Sequence, residues 1–328
     1  MHLNDEGQIN VEGAMSRWVK LADGAVAHYM TAGESGPPVI LCHGGLPGSS
    51  AIAGWRYQFQ NLAQNGFRVY APDFPGFGLA DTNPSHWPHL GYLSHVKFIY
   101  EFMESLCIDA AHFSGNSMGC SNAVRFAINH PEKVRSLALI AGNLPGLVDP
   151  NKVFRTIDVK KLNRTTFDGT SESMMEMMEP IIFDRSAITQ ELLDMRTLAA
   201  TNQKDALAAY HSGNDRIQND INFKHRFEIR ERLDQLKVPQ ILLWGRDDVL
   251  NPVKNAYLQE DVTPWIQYFY PSECGHQGQT DRPELFNKVF VEFFTDGMVS
   301  RETANMAGIS ERKSEIKSLI SEATTHDK

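Results

Sequence analysis

The sequence predicts an α/β protein: a mostly parallel sheet flanked by helices, with a helical cap inserted between two of its strands. Three observations carry this. Short apolar runs ending in Gly, Asp or Pro alternate with helix-period segments. The alternation stops once, for about ninety residues of helical pattern with no convincing strand, and then resumes. At 328 residues the chain is long enough to bury a large core.

The elements follow in order. Arg17 to Gly33 reads as two short strands around Asp23-Gly24, a dipeptide suited to the positive-φ positions of a tight hairpin turn. PVILCHG, FRVYAPD, AAHFSGNS and VRSLALIAG are the next strands, and VPQILLWG and IQYFYPS complete the set much later. Between them lie helices at Trp55 to Gln64, Leu93 to Leu106, Met118 to Asn129, Pro252 to Gln259 and Pro283 to Phe294. Strand and helix in alternation require crossovers, hence parallel neighbours covered on both faces. Residues 1–143 and 237–299 are therefore expected to form the core and 144–236 the cap.

Within the cap, ITQELLDMRTLAATNQKDALAAY reads as one long amphipathic helix, and Met174, Met175, Met177 and Met178 as adaptable apolar filling. Its expected place is over the carboxyl ends of the strands, where open α/β sheets hold ligands. In the tail, residues 300–328, Ile309, Ile316, Leu319 and Ile320 make a weak helical stripe compatible equally with docking and with disorder.

Composition narrows the function. A net charge of −9 with no dense Lys/Arg stretch argues against nucleic acid as a partner. No window is apolar enough to span a membrane, and MHLNDEGQIN is too polar and acidic for a signal peptide, so a cytoplasmic protein is expected. Four cysteines without CxxC spacing fit reduced thiols, and the sequence has no HExxH, P-loop or strand-linked GxGxxG. No metal and no cofactor is expected.

Chemistry is expected at Gly115-Asn116-Ser117-Met118-Gly119, a GxSxG that follows a short strand and opens a helix. That turn lifts a serine hydroxyl clear of the sheet, and glycines two residues either side spare the neighbouring backbone a Cβ; the plainer reading is an ordinary Gly-rich turn. A serine is a weak nucleophile at neutral pH and needs a base and a carboxylate to orient it. His276 in ECGHQGQ and the pair Asp247-Asp248 in WGRDDVLNP each follow a strand on the rim of Ser117. Asp248, where the loop has cleared the strand, is preferred to Asp247, which points to solvent or to Arg246 unless the pair simply caps the next helix. His43 precedes two glycines and is read as supporting its loop. In HGGLPG, the Gly45 N–H is the candidate first oxyanion donor and that of Met118 the second, unless the loop is merely a flexible turn.

With HGGLPG, DFPGFGLAD, GNSMG, GRDD and CGH in order, the chain resembles the α/β-hydrolase superfamily from about Trp18 to Gly297, and within it most resembles the meta-cleavage-product hydrolases. These are serine-triad enzymes that cut a C–C bond in the diketo acids produced by extradiol ring opening of catechols. The resemblance implies a small acidic substrate of the 2-hydroxy-6-oxo-hexa-2,4-dienoate type and a homo-oligomer. It implies that Arg196, in ITQELLDMR, holds the substrate carboxylate and that Asn116 helps bind the dienoate end; Gly44 and Gln277 are further expected substrate-binding residues. Read from the residues alone, Arg196 interrupts an apolar helix stripe with Ile188, Leu192 and Ala199, so it either grips a carboxylate or pairs with Asp184 or Glu191.

Two departures from that family stand out: Gln277 where a bulky aromatic commonly follows the histidine, and Trp55-Arg56-Tyr57 where Trp-x-Asn is usual. They imply a different pocket shape and polarity. A carboxylesterase or lactonase with the same triad is the alternative, and a slowly turning-over ligand receptor on the same fold a lesser one.

Overall fold

The computed structural model describes residues 3–144, 146–154, 167–220, 229–312 and 319–321. The chain opens with the antiparallel pair β1 (Met15–Lys20) and β2 (Val26–Ala32), followed by β3 (Pro38–Cys42). Two short helices come next, α1 (Ala51–Trp55) and α2 (Phe59–Gln64), then β4 (Arg68–Pro72), α3 (Tyr92–Ser105), β5 (Ala111–Asn116), α4 (Met118–Asn129) and β6 (Val134–Ile140). The interrupting segment carries α5 (Ser171–Met178), α6 (Gln190–Asn202), α7 (Lys204–Asn219) and α8 (Arg230–Leu233). The core resumes with β7 (Gln240–Leu243), α9 (Lys254–Glu260), β8 (Gln267–Phe269), α10 (Gly278–Asp281) and α11 (Pro283–Asp296). The chain closes with β9 (Val299–Ser300), α12 (Arg301–Met306) and β10 (Ile320–Ser321).

The main sheet has eight strands in the order β1-β2-β4-β3-β5-β6-β7-β8, antiparallel at the hairpin end and parallel from β4 onward. Its centre reads as continuous apolar runs because both faces are covered: every residue of β3, β5 and β7 is buried. One core cluster runs from Leu21 through the sheet to the methionines Met174, Met177 and Met178, while Met175 is only partly buried. A polar chain locks the hairpin end. Ser16 Oγ lies 3.0 Å from His28 Nε2, and His28 Nδ1 lies 2.7 Å from Asp73, whose oxygens also accept from the N–H groups of Ala51 and Leu79.

Two expectations need correcting. The helix expected over Trp55 to Gln64 is two helices, broken where Arg56 donates to the Ala187 carbonyl and Gln58 to that of Gln279. The long cap helix is likewise two, α6 and α7, parted at Gln203, whose side-chain amide donates to the Ala80 carbonyl at 2.7 Å. A tertiary bond thus overrides a continuous helical period. The tail, left open between docking and disorder, is docked in its described part: Ile309, Leu319 and Ile320 pack on the core, in non-helical backbone. Gly308 accepts from the Tyr270 N–H, Ser310 N–H donates to Tyr268, and Ile320 pairs with Val299. The tail thereby covers the free edge of β8; Ile316 lies outside the described residues. No helix among the described residues is long and apolar enough to cross a membrane.

Candidate active site

The elbow is built from β5 and α4. Ser117 sits at φ 55° and ψ −113°, a left-handed conformation costly for a residue with a Cβ, and its N–H is tied to the Ile140 carbonyl at 2.9 Å. The flanking glycines are required by space. A Cβ on Gly115 would stand 2.4 Å from the Gly119 backbone, and one on Gly119 would stand 2.1 Å from the Cys42 carbonyl oxygen. Helix and strand therefore meet closely enough to hold a serine in a turn that relaxation would otherwise abolish.

The expected base and acid come from the loops after β8 and β7. His276 Nδ1 lies 2.7 Å from Asp248 Oδ2, and both side chains are buried. The other Asp248 oxygen accepts the Asn251 N–H at 2.7 Å, so the carboxylate is committed on both sides. Asp247 is exposed and serves another purpose, accepting the Glu273 N–H; it does not turn to Arg246, which donates to the Tyr270 carbonyl. The imidazole Nε2 is buried without a hydrogen-bond partner among the described residues, and Ser117 and His276 line the same cavity. Unbound sites often leave the nucleophile–base bond open until substrate arrives.

That cavity encloses about 830 Å³. Gly45 and Met118 are on its wall and touch one another: a Cβ at position 45 would lie 2.9 Å from Met118 Sδ. The Met118 N–H belongs to the first turn of α4, where helix amides have no partner within the helix and the dipole favours negative charge. His43 holds this loop as expected. Its Nδ1 lies 2.7 Å from the Gly44 carbonyl, its Nε2 accepts the Phe74 N–H, and burial holds its pKa below the usual imidazole value, so it remains neutral.

The remaining expected substrate contacts sit differently. Gly44, Asn116, Arg196 and Gln277 are not among the residues lining the cavity. Asn116 is turned to the protein: its amide donates to the His276 carbonyl at 2.9 Å. Gln277 is buried with its N–H on the Ile181 carbonyl, and neither it nor Tyr57 is on the described wall. Arg196 is fully buried on α6; Nη2 donates to the Pro47 carbonyl, while Nε and Nη1 have no partner among the described residues. Asp184, one of its candidate ion-pair partners, instead accepts from Ser186, and burial lowers the Arg196 pKa to about 9.

Sequence reasoning missed the wall supplied by α3 and α7, where Tyr92, Tyr210, His211, Asn214 and Asp215 line the cavity. A four-residue spacing, Tyr210 to Asn214, was the available signal. It also missed the bracing of the acid loop: Asn251 donates to the Ala141 carbonyl, and its own carbonyl accepts from the Trp244 indole. The described residues hold no group of three or more His, Cys, Asp or Glu placed to bind a metal ion.

Comparison with known proteins bears on the fold and the family. The model of the alpha/beta hydrolase fold matches residues 37–283. The 2-hydroxy-6-oxononadienedioate/2-hydroxy-6-oxononatrienedioate hydrolase of Paraburkholderia phymatum is 29% identical over 289 residues, covering 87% of this chain and 97% of that protein. A Pseudomonas putida protein with the same activity in its name is 29% identical over 287 residues, covering 87% and 98%. Among solved structures, the meta-cleavage product hydrolase of Pseudomonas fluorescens IP01 is 26% identical with a TM-score of 0.70, covering 86% of this chain and 98% of its own. A serine hydrolase involved in carbazole degradation is 25% identical with a TM-score of 0.70, covering 86% and 99%.

Proposed function

The chain belongs to the alpha/beta hydrolase fold family, and from that premise we propose that it is a serine hydrolase cleaving the C–C bond of 2-hydroxy-6-oxo-hexa-2,4-dienoate type acids. The observation that supports this most directly is the His276–Asp248 contact of 2.7 Å, with Nε2 left open on the cavity that Ser117 shares. The names of the relatives supply the substrate class.

In this reading His276, oriented by Asp248, first moves a proton from the 2-hydroxyl towards C5, giving the diketo tautomer. Ser117 Oγ, or a water that it and His276 activate, then adds to the C6 carbonyl and passes its proton to Nε2. The N–H groups of Gly45 and Met118 hold the oxyanion, each such donor being worth about 2.7–4 kcal/mol in the transition state. When the C5–C6 bond breaks, its electron pair is delocalised into the 2-oxo system as a dienolate, which takes the proton back from His276; where Ser117 was the nucleophile, a water deprotonated by His276 then adds to the acyl-serine, releasing the carboxylic acid as the proton returns to Oγ. Arg196 is assigned the substrate carboxylate, because a buried guanidinium with two nitrogens lacking a partner among the described residues calls for an anion.

One observation favours an ester or lactone substrate instead. No Lys or Arg is among the described residues lining the cavity, and Arg196 would have to turn to meet a carboxylate there. Turnover decides between them. The C–C reading expects loss of dienolate absorbance with ring-cleavage products and slow p-nitrophenyl ester hydrolysis. Fast ester or lactone turnover with inert dienoates would overturn it in favour of the second reading, and stoichiometric product release without multiple turnovers would indicate a receptor.

A further inference from the structure

Asp281 closes α10, five residues after His276, and is buried. Its carboxylate is shared between two parts of the molecule. Oδ2 accepts the Gly275 N–H at 2.7 Å, and Gly275 is bonded directly to His276. Oδ1 accepts the N–H groups of Phe183 at 2.9 Å and Asp184 at 3.0 Å, both on the cap segment between α5 and α6. A second link runs beside it, from the Gln277 N–H to the Ile181 carbonyl at 3.0 Å. Thus the residues on either side of His276 are bonded to one four-residue stretch of cap, directly or through one carboxylate.

The arrangement is costly. Three backbone donors face the carboxylate, yet burial outweighs them and the carboxyl pKa rises to about 6, with the nearby Asp184 charge acting in the same direction. An amide in this place would direct an NH2 group at one of the donors, so only an acceptor on both oxygens satisfies the site. The close fit leaves little slack: a Cβ on Gly275 would lie 3.0 Å from the Ile181 carbonyl oxygen and 3.2 Å from the Phe183 nitrogen. A shift of the 181–184 segment is therefore carried to the loop holding the imidazole.

We propose that Asp281 is a positioning residue that couples the seating of the cap segment 181–184 to the placement of the His276 imidazole, so that the base is aligned only when the cap is in place. This rests on the reading of His276 as the base for Ser117. The test uses the full chain with a fluorophosphonate probe, whose P–F bond is replaced by a Ser117 Oγ–P bond as fluoride leaves and the serine proton passes through His276. The probe requires no knowledge of the natural substrate. Asp281→Asn is expected to slow phosphonylation about tenfold to a hundredfold, since small misplacements of a catalytic group cost that much. It should lower kcat on a dienoate in parallel and leave KM within about threefold. Asp184→Pro removes one of the cap donors at a φ of −79°, which proline accepts, and is expected to give a smaller loss of the same kind.

Unchanged labelling and kcat in either folded variant, whatever the change in melting temperature, would overturn the proposal and leave Asp281 a purely architectural residue. Should Asp281→Asn fail to fold, Asp184→Pro decides alone. A wild-type protein that the probe does not label at Ser117 would overturn the serine-hydrolase reading itself, an outcome distinct from a labelled wild type with an equally reactive variant.

Discussion

The side-chain amide of Asn116 donates to the main-chain carbonyl of His276 at 2.9 Å, joining positions 160 residues apart in the chain. The residue before the elbow serine and the loop of the histidine are thus held in one register by a buried bond. Asn116→Ala leaves that carbonyl without its donor, at a cost of about 1–3 kcal/mol. We expect kcat to fall with KM nearly unchanged, measured by steady-state kinetics beside urea unfolding. A large rise in KM alone would instead place Asn116 on the substrate.

Ser117 holds a backbone conformation that only glycine adopts without strain. Ser117→Gly should therefore abolish turnover while raising unfolding free energy by about 1–3 kcal/mol. Ser117→Ala should abolish turnover without that gain. Urea unfolding of the two variants separates relief of strain from loss of the hydroxyl.

Arg196 combines complete burial with two nitrogens that have no partner among the described residues. Replacing it by Met should stabilise the unliganded protein, on the order of 1–3 kcal/mol, by removing polar atoms that lack partners. The same change should raise KM for dienoates tenfold or more and leave KM for neutral esters alone. Equal KM values for acidic substrates in the two proteins would remove Arg196 from the binding site.

Acid should destabilise the protein through its buried imidazoles. His95 donates or accepts at both ring nitrogens, with Pro75 and Asn122, and lies stacked on Tyr210; burial holds its pKa down at about 3, and that of His112 at about 4. An unfolded imidazole titrates near 6.5, so below that value the unfolded chain binds more protons than the folded one. Stability from each group is full above about pH 6.5 and is lost as the pH falls, by about 1.4 kcal/mol per unit. Asp281 works in the opposite sense, since its raised carboxyl favours the folded state most when protonated, and its contribution falls as the pH rises from about 4 towards 6. Unfolding titrations from pH 7 to 4 should show a net loss that becomes shallower in His95→Gln.

The parts of the molecule that were legible in the sequence are those set by local chemistry. The GxSxG after a strand, the Asp23-Gly24 hairpin and the Gly-x-x-Asp turn each place their residues through backbone geometry that neighbouring positions dictate. What was not legible depends on distant partners. Nothing between Ile188 and Tyr210 announces that Gln203 will break the helix, because the cause is the Ala80 carbonyl. Asn116 likewise reads as a binding residue until the His276 carbonyl appears beside it. The tail looked indifferent to docking because its contacts with Tyr268 and Tyr270 run through backbone groups, which side-chain periodicity does not report.

The covered edge of β8 has a wider consequence. The sheet ends on β1 and on β8; among the described residues an isolated bridge lies against β8, whereas β1 exposes Met15 and Trp18. The bonds joining Gly308 and Ser310 to Tyr270 and Tyr268 thus withhold those main-chain groups of β8 from another molecule, independently of the chemistry inside the cavity.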